Sequence, residues 1–379
     1  MKLKAKQIGI DKIGIASADP FIELKERLKE SRAKGYASGF EKPDIDERVD
    51  PCLSLPQAKS IIAIALAYPS KLKKPPRSEE GAYRGIFCRA SWGEDYHHVL
   101  KERLAHLEKA LKEWVPEART MIMVDTGALS DRAVAERAGL GWVGKNTALI
   151  TDEFGSWLYL GEMITDVYLP PDEPVMDGCG DCTRCLDACP TGALVQPGQL
   201  NAQSCLGYLT QTKNFLPDLY RDKIGNRLYG CDTCQVVCPK NRKIHFDHQQ
   251  EFQPDPDKVK PLLKPLLSIS NREFKEQYGS MAGSWRGKKP IQRNAILALA
   301  HFRDQSSVPD LIRILFEDPR PVLRGTAAWA LGKIGGNEAK QALLKAREEE
   351  TDRDVLVEIE KGLHFFSKGE ADISSSGMV

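Results

Sequence analysis

The sequence predicts an α+β domain, α/β-like in its alternation of strands and helices, followed by a cysteine-rich insertion and then by helical repeats. Three observations predict this. Short β-branched runs alternate with amphipathic stretches over residues 1–172, eight of the ten cysteines fall between Cys179 and Cys238, and one helical pattern occurs twice after residue 288.

In chain order, Ile61-Ile-Ala-Ile-Ala-Leu-Ala67 reads as a buried strand and Met121-Ile-Met-Val124 as another. Between them Val99, Leu104, Leu107, Leu111 and Trp114 recur at helical spacing, which predicts a core-facing helix ended before Pro116. A further helix is expected near Ser130. The basic, proline-broken segment Lys71–Arg77 reads as a connector rather than a phosphate-contacting arm. Prolines in 170–178 mark the lead-in to a cysteine domain at 173–250. Pro254–Pro265 marks its exit into a connector, 251–287. Repeats are expected over 288–367, and the polar tail 368–379 is expected to be disordered.

Composition narrows the function classes. The 54 Lys and Arg balance 53 Asp and Glu, which excludes a globally basic nucleic-acid binder, so any polyanion must meet a local patch. Lys2, Lys4 and Lys6 precede an apolar stretch broken by Asp11 and Lys12, unlike the unbroken core of an export signal. The longest strongly apolar run, Ile61–Tyr68, is far below the ~20 residues of a membrane span. A soluble cytoplasmic protein is expected, with monomer as the default. Its cysteines then need a purpose other than disulfides, because the cytosol keeps thiols reduced.

Cysteine spacing supplies that purpose. Cys179, Cys182, Cys185 and Cys189-Pro190 match the bacterial ferredoxin run C-x2-C-x2-C-x3-C-P. In two-cluster proteins the fourth cysteine of such a run ligates the other 4Fe-4S cluster. A second, altered set follows: Cys205, then Cys231, Cys234 and Cys238-Pro239. Exchanging the fourth ligands gives one cluster on Cys179, Cys182, Cys185 and Cys238, and another on Cys205, Cys231, Cys234 and Cys189. A pair of zinc sites would leave both C-x3-C-P endings unexplained. A ferredoxin-like domain with two one-electron carriers suits a two-electron reduction.

Near the C terminus, Arg293-Asn-Ala-Ile-Leu-Ala-Leu-Ala-His-Phe302 resembles Arg324-Gly-Thr-Ala-Ala-Trp-Ala-Leu-Gly-Lys-Ile334, which implies stacked, HEAT-like helix pairs. Between Arg286 and Arg324 basic residues outnumber acidic ones. This half of the repeats reads either as a phosphate-contacting face or as a solvated helix surface.

Five segments in order, Trp92-Gly-Glu-Asp-Tyr-His97, Val124-Asp-Thr-Gly127, Arg137-Ala-Gly-Leu-Gly-Trp-Val-Gly-Lys-Asn146, the cysteine runs and Tyr229-Gly-Cys-Asp-Thr-Cys-Gln235, resemble the epoxyqueuosine reductase family. The resemblance covers nearly the whole chain. It implies an oxidoreductase of queuosine biosynthesis that reduces the epoxide of epoxyqueuosine, at the tRNA wobble position, to the alkene. It also implies a base-off cobalamin beside two 4Fe-4S clusters, a low-potential donor such as flavodoxin or ferredoxin, and tRNAs with a GUN anticodon (Asp, Asn, His, Tyr). A corrinoid reductive dehalogenase and a plain two-cluster electron carrier are the competing readings.

On this resemblance Asp125 is the proton donor, at a strand end where α/β sites gather, with a pKa expected to be raised by a desolvated pocket. By its residue types alone Asp125 equally suits a helix N-cap, and Asp131 is the alternative acid. Arg48, Cys88, Asp125, Leu149, Leu160 and Gly207 match cobalamin-contacting positions of the family. Lys145, Asn146, Arg293 and Arg324 are candidates for tRNA contact, with turn capping the other reading of Lys145 and Asn146. Asp95-Tyr-His-His-Val-Leu100 approaches the D-x-H-x-x-G cobalt-ligand motif, but Leu100 replaces its glycine, so His97 and His98 are expected to line a pocket or the surface.

Overall fold

The computed structural model describes the backbone of residues 1–375 and the side chains of 1–367. The chain folds as two compact units. One comprises 1–72, 89–208 and 232–254, and the other 73–88, 209–231 and 255–379. The cut at 72/73 lies inside the basic segment read as a connector, and the cut at 254/255 meets the expected proline exit. Contacts do not divide the chain at residue 172, since most of the cysteine region packs into the same unit as the N-terminal sheet.

The first unit is built on β1 (Lys12–Ser17), β2 (Ser60–Ala67), β3 (Thr120–Met123) and β4 (Leu158–Thr165), in the order β1-β2-β4-β3 with every neighbour antiparallel. This is α+β; the α/β argument for a site at parallel strand ends does not apply. β2 is buried along its whole length because both its faces are covered. Ile62, Ile64 and Leu66 pack with Val99, Leu100, Leu104, Leu107 and Leu111 of α1 (Tyr96–Trp114). Ile61, Ala63 and Ala65 point the other way and join Val134 and Ala135 of α2 (Asp131–Arg137). The period-2 alternation of a strand thus feeds two cores. Trp114, expected in the first core, is 66% exposed: as the last helical residue it lies past the end of the apolar stripe.

The second unit stacks α3 (Lys288–Phe302), α4 (Val308–Glu317), α5 (Pro321–Ile334), α6 (Asn337–Glu349) and α7 (Arg353–Ser375) as expected for repeats. The tail is helical further than expected, since α7 runs through Ser375; residues 376–379 lie outside the described residues. Residues 209–231 are strapped to α3 by buried polar groups. Arg293 donates to the carbonyls of Leu209 (2.8 Å), Thr212 (2.8 Å) and Asn214 (2.7 Å), and Asn294 Nδ2 donates to those of Thr210 and Leu228, both 2.8 Å. Arg221 of the strap forms a buried bidentate pair with Glu358 of α7.

α5 and α7 touch backbone to backbone. A Cβ at Gly332 would sit 2.2 Å from the Gly362 carbonyl oxygen. Gly332→Ala must push the helices apart and is expected to cost about 1–3 kcal/mol, read as a lower urea midpoint at unchanged slope. An unchanged midpoint would show that the helices separate freely.

Candidate active site and cluster ligands

Asp125 sits in the turn between β3 and α2 with a left-handed backbone, φ +52°. Few non-glycine residues accept this conformation, and aspartate and asparagine are among those that do. Its amide donates to Asp131 Oδ2 at 2.8 Å. Asp125 is therefore not the helix cap; Ser130 occupies that position. Its carboxylate is 61% exposed and faces His97, with Oδ2 3.4 Å from Nε2. Asp95, the N-cap of α1, accepts the His97 amide at 3.0 Å and lies 2.6 Å from its Nδ1. The imidazole also stacks on Tyr96, centroids 4.2 Å apart.

An imidazole between two carboxylates is favoured as the cation. The Asp125 carboxylate, 3.4 Å away, and then the hydrogen bond to Asp95 push the His97 pKa up to about 9. The same contact with His97 holds Asp125 below the usual carboxylate range, with burial opposing. This corrects the expectation of a raised Asp125 pKa, because its desolvation is outweighed by a cation that sequence spacing did not reveal. The raised carboxyls lie behind it. Burial and then the charge of Asp125 lift Asp131 to about 6, and burial and then Asp131 lift Glu162 well above its ordinary value. Glu162 was missed: an acid in the apolar run of β4 is a signal, but one that gives no partner.

Arg48 is half-buried, its guanidinium desolvated near Glu41, Arg132 and Asp131, and no hydrogen bond or ion pair to it is found among the described residues. A buried cation in that state fits an anionic group of a bound molecule. Leu149 is buried and Leu160 half-buried against the core layer that carries α2. Gly207 lies in the helical turn after Cys205. These residues share the first unit with Asp125. Cys88 belongs to the second, where its amide donates to the Tyr229 carbonyl (2.9 Å) and its Sγ leaves no room for a Cβ at Gly230.

The four cysteines expected to hold the first cluster influence one another. Burial and then the charges of Cys238 and Cys179 raise the Cys185 thiol, and Cys238 is raised by burial and then by Cys179 and Cys182, so these sulfurs lie within electrostatic reach of one another. Each C-x3-C-P ending follows one helical turn, Arg184–Asp187 or Thr233–Val236. Asn241 locks the second ending down: its Oδ1 accepts the Ser156 amide (2.7 Å) and its Nδ2 donates to the Gln235 carbonyl (2.7 Å). For Cys189 burial is outweighed by backbone N–H groups from Leu194, Thr191 and Ala193, which favour its thiolate. Cys205 and Cys234 share that unit, and Cys231 ends the strap of the other. None of the ten cysteines is in a disulfide. Among the described residues no three His, Cys, Asp or Glu side chains converge on a single-ion site.

Two candidates for tRNA contact are engaged within the second unit. Arg293 is 1% exposed and its guanidinium is spent on the strap carbonyls. Arg324 is paired with Glu350 at 2.8 Å. Arg313 and Arg320 are likewise paired, with Asp310 and Asp318, so much of the basic excess is absorbed within the repeats. Asn146 is buried and caps the Ala148 amide, a turn role, while Lys145 donates to the Gly180 carbonyl at 2.6 Å.

Comparison with known proteins follows the same division. Family profiles match residues 48–126 (epoxyqueuosine reductase QueG), 178–241 (4Fe-4S double cluster binding domain) and 286–363 (HEAT repeats). The chain is 64% identical over 364 residues to epoxyqueuosine reductase of Bacillus cereus, covering 96% of each chain. It is 63% identical to that of Bacillus subtilis over 95% of this chain and 93% of the relative. A crystal structure of epoxyqueuosine reductase with an epoxyqueuosine-modified tRNA-Tyr stem loop matches at TM-score 0.95 and 61% identity over 97% of both chains. A Bacillus subtilis structure with its catalytic aspartate loop swung out of the active site matches at TM-score 0.94 and 61% identity, over 96% of this chain and 97% of that one. No helix among the described residues is long and apolar enough to cross a membrane.

The pKa shifts fix a sign. His97 is raised, so its contribution to stability is complete below its unfolded value of about 6.5 and is lost as pH rises through about 9. Asp125 is lowered, so its contribution is present above about 4 and lost as pH falls through its depressed value. A proton NMR titration should place the His97 imidazole near 9, and Asp125→Asn should lower it. A value at the ordinary histidine position would remove the ion pair.

Proposed function

Since the chain belongs to the epoxyqueuosine reductase family and is an oxidoreductase, we propose that it reduces the epoxide of epoxyqueuosine in tRNA to the alkene of queuosine, with Asp125 and His97 acting together as proton donor. The observation that carries the proposal is the His97 imidazole held beside the Asp125 carboxylate, with Nε2 3.4 Å from Oδ2. Family membership sets aside the dehalogenase and electron-carrier readings.

Epoxide deoxygenation consumes two electrons and two protons and releases water. The electrons would be supplied at the carbon-oxygen bonds by a base-off cobalamin, fed one at a time through two 4Fe-4S clusters. Cys179, Cys182, Cys185 and Cys238 would hold one cluster, and Cys205, Cys231, Cys234 and Cys189 the other. Cys88, Leu149, Leu160 and Gly207 would bound the corrinoid, and the unpaired Arg48 guanidinium would meet an anionic group on it. The chain's own task is the leaving oxygen. His97 keeps a proton in store at neutral pH and Asp125 carries it to the departing oxygen, a division that suits a carboxylate whose own pKa is low. His97 is committed to Asp95 and Asp125, which supports a role at the proton rather than at cobalt. Substrate would be a tRNA with a GUN anticodon, met in the cytoplasm by a monomer. Lys145 stays a candidate for tRNA contact.

Anaerobic protein loaded with cobalamin, given epoxyqueuosine-containing tRNA and a low-potential reductant, should yield queuosine by nucleoside mass spectrometry; no product would sink the proposal. Asp125→Asn preserves the left-handed turn and is expected to lose about 10²-fold or more in turnover with cobalamin binding intact.

A further inference from the structure

Behind Asp125 lies a pair of carboxyl groups that proton donation leaves unused. Asp131 opens α2. Glu162 lies within β4 opposite Ala63 and Met123, which places its side chain on the sheet face that α2 covers. Glu162 is 1% exposed, its Oε1 has no hydrogen-bond partner among the described residues, and Asp131 is the carboxyl that acts on it most strongly. The charged groups that face the pair are Asp125 from the β3–α2 turn, Arg132 from α2, and Arg48, whose guanidinium lies near Asp131.

Two carboxylates cannot share such a place. One member therefore holds a proton. Asp131 has the stabilising partners, Arg132 and the Asp125 amide, whereas no cation among the described residues acts on Glu162. The anion is Asp131 and the acid is Glu162. Asp131 accepts, through Oδ2, from the backbone of Asp125.

We propose that protonated Glu162 is a positioning residue for the reaction: it fixes Asp131 as the anion that grips the Asp125 amide, and loss of its proton frees the Asp125 turn. The proposal rests on Asp125 as donor. A left-handed aspartate needs such a hold, because its backbone relaxes elsewhere when the amide is released. The pKa directions agree: burial lifts both carboxyls, Asp131 to about 6 and Glu162 well above its ordinary value.

Infrared difference spectra of the full chain, taken across pH in ordinary and heavy water, test this without turnover. A protonated-carboxyl band should persist at neutral pH, shift on deuteration, vanish in Glu162→Gln and survive in Asp125→Asn. In the loaded enzyme, Glu162→Gln donates to Asp131 at any pH. It should keep kcat within about threefold and show one fewer deprotonation on the alkaline limb, His97 alone remaining. Glu162→Leu cannot donate and should lose about tenfold or more in kcat with KM for tRNA little changed. A band still present in Glu162→Gln, or an unaltered alkaline limb in that variant, overturns the proposal even if Glu162→Leu fails to fold. Failure of Asp125→Asn to lose turnover would overturn the donor reading while leaving the band in place.

Discussion

The burial of β2 on both faces organises the first unit. A strand with Ile and Leu on one side and Ile and Ala on the other cannot face water on either, so a helix must cover each face. α1 takes one and α2 the other. Their N-terminal ends meet beside the turn that follows β3: His97 comes from the first turn of α1, Asp131 from the first residue of α2, and Asp125 lies between them. The site is a by-product of covering the sheet. Its residues come from three separate stretches because three elements end there.

That arrangement separates two kinds of acid. One faces the open side beside a histidine that lowers its pKa; the other is sealed under a helix, where burial raises it. The difference follows from neighbours and burial: Asp125 is exposed beside His97, whereas Glu162 is buried on the sheet face that α2 covers. Low-pKa and high-pKa groups within one hydrogen-bonded set are what a reaction consuming protons requires.

Much of this was legible beforehand, for physical reasons. Cysteine spacing is a local signal, and the helical turns before Cys189 and Cys238 obey it. The β2 run and the α1 stripe were readable because periodicity reports burial directly; only Trp114, at the helix end, escaped the stripe. Asp125 is singled out through a motif, but its pairing with His97 is not, because His97 lies far off in sequence. Arg293 and Arg324 misled for the opposite reason. Charge counts treat every arginine as surface, whereas one is buried and the other is paired with Glu350. Glu162 had no readable partner, since its meaning depends on which face of β4 it occupies.

The strap across α3 bears on how the metal centres are made. Residues 209–231 end at Cys231 and are fastened by Arg293, Asn294 and the Arg221–Glu358 pair, none of which involves sulfur. A helical stack more than fifty residues downstream thus sets the shape of the segment that ends in Cys231. If Cys231 is a cluster ligand, as proposed, biogenesis acquires an order: the repeats must be synthesised and packed before that segment takes its shape. Truncations that spare every cysteine would still leave an apoprotein poorly prepared for cluster loading.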